Sequence, residues 1–213
     1  MKTNFRAAIK WVNRKMNESW KYESGQSPCG FGSFTSTTTD SINFINNILG
    51  DTEHNIKSVL DLGCGDWNWF KSVDLQGSEY QGWDAGEQFI ESNNLLYKNN
   101  HVKFHHKDIV TCTYPRVDLI ICRDVLFHMP VSMAGTVIDN IRKASRYFIC
   151  TNFNNETCNI GNGRRGTNQE WGYYRINVNI NPFNLEPYLI DTHKEKRCSR
   201  PRYPRSINLY KFV

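Results

Sequence analysis

The chain has 213 residues, 39% of them hydrophobic and 22% charged, and a formal net charge of +5; that is enough chain for one substantial core and short for two. Its seven cysteines are an odd set with no C-x-x-C or paired Cys/His spacing, which argues against a disulfide framework or structural zinc and predicts a reduced, cytoplasmic protein. No apolar run is long enough to cross a bilayer, and the first residues lack the apolar segment of a signal peptide.

In chain order, Phe5, Ala8, Ile9, Val12, Met16 and Trp20 recur at helical spacing and predict a helix over 4–21. A Gly/Pro/Ser-rich loop follows over 24–33. Asp40 is placed to cap a helix carrying Ile42, Ile45, Ile48 and Leu49, which stops at Gly50. Strands are then expected at 56–62, 80–83, 102–105, 117–122 and 147–151, with helices at 67–73, 85–97 and 130–145, the last opened by Pro130. Beyond Asn152 the sequence is Gly/Asn-rich to Gly172, and alternating segments at 174–180 and 207–213 predict two antiparallel edge strands. The alternation predicts an α/β, Rossmann-like fold: a seven-stranded, mostly parallel sheet with an antiparallel C-terminal pair and helices on both faces. Residues 1–213 read as one domain, with an N-terminal helix and lid loop (1–39), a cofactor-binding core (40–152) and a substrate-side insert with the C-terminal strands (153–213). The excess charge lies in Lys194, Lys196, Arg197, Arg200, Arg202 and Arg205, set against Glu195. It reads first as a solvated loop before the last strand, with an anionic or nucleic-acid patch as the alternative.

The run from Ser58 to Asp66 is the richest in information: an apolar strand closed by Asp61, a Gly63-Cys64-Gly65 turn, then an N-cap residue. Glycines let a cofactor approach the backbone and accept positive φ. Asn68 stands where a dinucleotide fingerprint has its third glycine, and Asp61 would repel a pyrophosphate, so a cationic, phosphate-free cofactor suits the turn better. The run resembles motif I of the class I S-adenosylmethionine-dependent methyltransferases, which implies S-adenosylmethionine as cofactor. Asp84 follows the second strand, 19 residues after Gly65, where a carboxylate can accept both hydroxyls of a ribose. Asp108 follows the third strand, suited to an adenine amino group, with Ile109 on the ring face. Trp67 and Trp83 either wall the pocket or pack the core.

The fourth strand ends in Cys122-Arg123-Asp124-Val125-Leu126-Phe127-His128. Methyl transfer to an aliphatic hydroxyl needs a base, and His128 is the candidate, with Asp124 orienting it or acting as a second base. Arg123 is counted with the cofactor-side residues, with an ion pair or a substrate anchor as its other readings. The Asp/Asn-Pro-Pro-aromatic run of amino-methylating DNA enzymes is absent here, and Pro28-Cys29 precedes the first strand, so neither DNA class fits. A divalent metal on Asp124 with Asn152 or Asn154 is an incomplete ligand set and a minor reading.

Ser24-Gly25, Gly32-Ser33, Cys64-Gly65-Asp66-Trp67-Asn68-Trp69, Cys122-Arg123-Asp124 with His128, Pro182-Phe183-Asn184 and Glu186-Pro187 resemble a family of small methyltransferases encoded beside glycan-building enzymes in bacteria and large algal DNA viruses. Many relatives have Pro where this chain has Gly63. The resemblance implies O-methylation of a sugar hydroxyl, such as that of a rhamnose, on a polysaccharide or glycoprotein glycan. It also implies a lid of Gly32, Ser33 and Thr37, with Ser33 on the cofactor, and an acceptor face of Tyr173, Tyr174, Arg175 and Asn177 together with Asn152; for the alternating residues, a plain edge strand is the other reading. RNA or cap methylation and a non-catalytic cofactor-fold subunit are the competing functions, and the sequence leaves the oligomeric state open.

Overall fold

The structure is a computed structural model that describes residues 2–18, 25–159, 171–196 and 204–212. Residues 19–21 of the first expected helix, and Arg197, Arg200 and Arg202 of the basic segment, lie outside the described residues. The chain divides into two compact units, Met1–Cys112 and Thr113–Val213.

In the first unit, β1 (Ser58–Leu62), β2 (Glu79–Asp84) and β3 (Val102–His106) pair in parallel in the order β3-β2-β1. Asp61 stands opposite Gly82, and Asp84 opposite His106, so the carboxylates fall at neighbouring strand ends. Val59, Leu60 and Leu62 are buried, giving β1 the continuous apolar run of a strand covered on both faces. Full burial of one such leucine contributes about 1.5–3 kcal/mol. Helix α1 spans Lys2–Glu18, α2 Thr35–Gly50 and α3 Glu87–Leu96. Helix α2 begins before Asp40, which therefore does not cap it. Its first turn is Thr35-Ser36-Thr37-Thr38, residues disfavoured in helices unless their hydroxyls find carbonyls. The Thr37 and Thr38 hydroxyls each donate to the Phe34 carbonyl at 2.9 Å, and the Gln26 amide oxygen accepts the Thr35 N–H at 3.2 Å. The helix expected over 67–73 is only a short 3-10 turn, Phe70–Ser72. Trp67 takes φ 55° and the Asp66 carboxylate accepts the Asn68 N–H, a local turn that stops helix formation.

In the second unit, β4 (Val117–Cys122) and β5 (Ser145–Asn152) are parallel, β7 (Ser206–Lys211) runs antiparallel to β5, and β6 (Leu189–Lys194) antiparallel to β7. Helix α4 (Val131–Ala144) follows Pro130 at its N-cap and buries Ala134, Val137, Ile138 and Ile141, an i, i+3, i+4, i+7 stripe. The segment 174–180 is not a strand. The backbone N–H of Asn177 goes to the Asn159 side chain and that of Val178 to the Asn152 side chain, both in place of a ladder. The edge partner of β7 is instead β6, whose residues from Ile190 to Lys194 are all exposed.

Candidate active site

The turn after β1 is built by hydrogen bonds to the end of β2. Gly63 N–H and Cys64 N–H both donate to the Trp83 carbonyl, at 2.7 and 3.2 Å, and Gly63 and Gly65 take φ of 81° and 55°. Gly65 N–H donates to Asp84 Oδ2 at 2.9 Å, while Gly86 N–H donates to Oδ1 at 2.7 Å. Burial pushes the Asp84 carboxyl up from its ordinary range, against the pull of the Gly86, Gly65 and Ala85 N–H groups. The Gly65 carbonyl accepts the side-chain amide of the buried Asn93 at 2.8 Å. A Cβ on Gly65 would meet Cys29 Sγ at 2.7 Å, so the close approach this glycine permits is that of the loop before α2. That loop is tied down further by the Asn68 amide, which donates to the Ser33 carbonyl at 3.0 Å, and by the Thr37 hydroxyl, whose one proton is shared between the Phe34 carbonyl and that of Phe31, the latter at 2.7 Å. Asp61 accepts the Tyr80 hydroxyl at 2.8 Å, and Asp108 accepts Val110 N–H and the Thr111 hydroxyl.

In the second unit, β4 ends in Arg123 and Asp124, the latter at φ 59°, a left-handed position that Asp tolerates better than most residues. The Asp124 carboxylate accepts Thr151 Oγ1 and Arg205 Nη2 and lies 3.5 Å from Arg123 Nη1. Burial alone would raise its carboxyl, but the two guanidinium groups and these hydrogen bonds outweigh it and hold it far below the usual range. His128 closes a 3-10 turn, Leu126–His128, and its Nδ1 lies 2.9 Å from the Gly172 carbonyl. A carbonyl only accepts, so Nδ1 carries the proton and the lone pair of the neutral ring is at Nε2. The Phe127, Phe153 and Tyr173 rings cluster beside it, with Tyr173 41% exposed.

Residues 60–146 match the family described as "Methyltransferase domain". No curated protein sequence matches the chain. Among solved structures, magnesium protoporphyrin IX methyltransferase from Synechocystis PCC 6803 with bound SAH has a TM-score of 0.64 at 16% identity, covering 99% of this chain and 97% of that one. N-methyltransferase NodS from Bradyrhizobium japonicum WM9 in complex with S-adenosyl-l-homocysteine has a TM-score of 0.63 at 12% identity, covering 97% of this chain and 98% of that one. The Burkholderia thailandensis 1,6-didemethyltoxoflavin-N1-methyltransferase has 0.63 at 16% identity, covering 99% of this chain and 90% of that one. The fold is that of the class I methyltransferases. Its seven-stranded mixed sheet, mostly parallel with an antiparallel C-terminal pair, is the expected one.

On this methyltransferase fold, Asp61 and Asp84 fall in the last two residues of β1 and β2 and Asp108 two residues past β3, the expected neighbouring strand ends, and Asp84 also meets the glycine turn. Several side chains sit elsewhere. Trp67 packs in a ring cluster with Phe70, Tyr80, Tyr97 and Phe104, which favours the core reading of this residue. The Cys64 thiol packs 2.9 Å from where a Cβ on Gly82 would stand and donates to the Gly65 carbonyl at 3.8 Å, so it braces the turn from the core side. Ser33 is engaged through its carbonyl, and the Arg123 guanidinium is engaged by Glu195 and Asp124 and buried, which favours the ion-pair reading over a cofactor or substrate anchor. Asn152 donates to Asn154 and Asn177 and accepts Val178 N–H, so its amide holds the chain rather than an acceptor or, with Asp124, a metal. The Asn177 amide is likewise engaged by Asn152, Asn179 and Glu156. Arg175 pairs with Glu156, Tyr174 is buried, and Tyr173 is the exposed ring of this group. Nor is Arg205 part of a solvated basic loop, being buried with Glu195 and paired with the half-buried Asp124. Sequence reasoning misses Asn93 and Gly172 and the roles of Cys29 and Glu195: a thiol against Gly65, an amide on the Gly65 carbonyl, a carbonyl on His128 and a carboxylate between two arginines are long-range contacts that no local motif announces.

Proposed function

We propose that the chain is an S-adenosylmethionine-dependent O-methyltransferase acting on a sugar hydroxyl of a glycan, a deoxyhexose such as rhamnose being the favoured acceptor, with His128 as base. The observation that carries the cofactor reading is the Asp84 carboxylate brought against the Gly65 N–H. A carboxylate has about four lone-pair sites, and the Gly65, Gly86 and Ala85 N–H groups on Asp84 leave capacity for a ribose hydroxyl. A cationic ligand also offsets the cost of burying Asp84 and Asp61, which a pyrophosphate would increase. Asp108 has the same spare capacity for an adenine amino group, with Ile109 beside it in sequence. When bound, S-adenosylmethionine supplies a methyl group on a sulfonium, open to in-line displacement.

The chain's own residues align the acceptor and remove its proton. An aliphatic hydroxyl is too weakly acidic to react unassisted at neutral pH, and His128 Nε2, which carries the ring's lone pair because Nδ1 donates to Gly172, takes that proton. Asp124, held ionised by two arginines, is a poor base. Tyr173 supports the sugar reading: an exposed ring 5.9 Å from His128, centroid to centroid, offers a flat apolar face to a pyranose. His128→Ala is expected to keep cofactor affinity, by calorimetry, within about twofold and to lower kcat by about 10²–10⁴-fold. Near-normal turnover would remove His128 from the mechanism.

A further inference from the structure

We propose that Glu195 and Arg205 are positioning residues that hold His128 through the ring of Phe127. The proposal rests on the reading of His128 as the base.

The geometry is a chain of contacts. Glu195, 0% exposed, accepts Arg123 Nε at 2.9 Å on one oxygen and Arg205 Nη2 at 2.9 Å on the other. Arg205 reaches on to Asp124, and Glu195 N–H donates to the Arg205 carbonyl at 3.1 Å, which fixes the two residues against each other. The Arg205 guanidinium carbon stands 5.6 Å from the centroid of Phe127 and 5.8 Å from that of Phe153, within cation–π range. The Phe127 ring centroid is 4.4 Å from that of His128. On the far side, the Phe127 and His128 carbonyls accept Tyr174 N–H and Gly172 N–H at 2.7 and 2.8 Å, and the Gly172 carbonyl meets His128 Nδ1. The imidazole is thus clamped in one tautomer, with its neighbouring ring braced by a guanidinium.

Stability alone does not account for this cluster. Each buried charge costs several kcal/mol of desolvation, and well-packed apolar residues commonly do as well. The two arginines and two carboxylates balance, and what they add is a fixed place for the guanidinium under Phe127.

The test uses Glu195→Gln, which puts an amide donor against an arginine, and Arg205→Lys, which keeps the charge but loses the flat fork. In Glu195→Gln, kcat is expected to fall about tenfold or more with cofactor affinity within about twofold, and the Arg205→Lys loss to be smaller. Added to His128→Ala, Glu195→Gln should cause no further loss, because the group it positions is gone. Nitrogen-15 spectra of the cofactor-free chain should show the Nδ1–H tautomer of His128 in the parent and a mixture of tautomers in Glu195→Gln. The proposal is overturned by an unchanged tautomer, by kcat within about twofold of the parent, or by the same loss in the His128→Ala background, which would mark a merely structural role. Should Glu195→Gln fail to fold by circular dichroism, the same readouts on Arg205→Lys decide, an unchanged tautomer and unchanged kcat being the contrary result. Undiminished turnover in His128→Ala would instead refute the base assignment, and the tautomer spectra would still test the positioning.

Discussion

Replacing Asp84 by Asn separates the two tasks of that side chain. Its oxygens accept Gly65 N–H at 2.9 Å and Gly86 N–H at 2.7 Å, and an asparagine can accept on one side only, turning its NH₂ toward the other donor. A buried donor left without an acceptor costs about 1–3 kcal/mol, the expected loss of stability in the cofactor-free chain. Hydrogen bonds from a ribose to a charged acceptor contribute about 1.5–3 kcal/mol, so S-adenosylhomocysteine should bind about 10- to 150-fold more weakly by isothermal titration calorimetry. Acidification should act with opposite signs on the two properties. Because the folded carboxyl is raised above its unfolded value, this group favours the folded state at low pH, an advantage lost as pH rises through the folded pKa. Cofactor affinity instead falls on acidification, beginning above the ordinary carboxylate range, and this limb should be missing in Asp84→Asn. Affinity within about twofold of the parent, with the same pH dependence, would refute the placement of the ribose at Asp84.

Gly65→Ala should lose about 1–2 kcal/mol from its left-handed φ, and more from the contact with Cys29 Sγ, in urea unfolding. Cys29→Ala should relieve only the second part, so strict additivity of the two substitutions would contradict the packing described. Asn93→Ala leaves the Gly65 carbonyl with only the long Cys64 thiol contact at 3.8 Å and should cost about 1–3 kcal/mol by the same measurement; a change within about 0.5 kcal/mol would show that the amide does not hold the turn. Asp124 has a depressed pKa, so its contribution to stability is full above the unfolded carboxylate value and is lost as pH falls below it. Urea midpoints taken through the acid range should fall less steeply in Asp124→Asn than in the parent, and parallel curves would refute the ion-pair account.

What was legible in the sequence follows from which contacts are local. The β1 turn and Asp84 could be read because a strand end, two glycines and a carboxylate at a set distance are tied by the geometry of a parallel strand pair. Trp67 misleads because its left-handed backbone swings the ring into the core, which no helical spacing reveals. The alternation at 174–180 imitates a strand, yet Asn177 and Val178 send their N–H groups to buried amides rather than to a ladder. The true edge strand, β6, has only Leu189 and Ile190 as apolar residues, adjacent at its start, and so carries no apolar period. Glu195 and Arg205 read as members of a basic loop, because the contacts that matter, Glu195 across β6–β7 to Arg205 and Arg205 to Asp124, are set by strand pairing and not by local sequence.

The central claim is methyl transfer to a sugar oxygen. The direct measurement incubates the purified chain with S-adenosylmethionine carrying a ¹³C-methyl group and a panel of rhamnosides, other glycosides and RNAs, and locates the label by mass spectrometry and NMR. The account predicts an O-methyl group on a glycoside and none on RNA. Label on nitrogen or on RNA, or no transfer to any acceptor while the cofactor is bound, would contradict it.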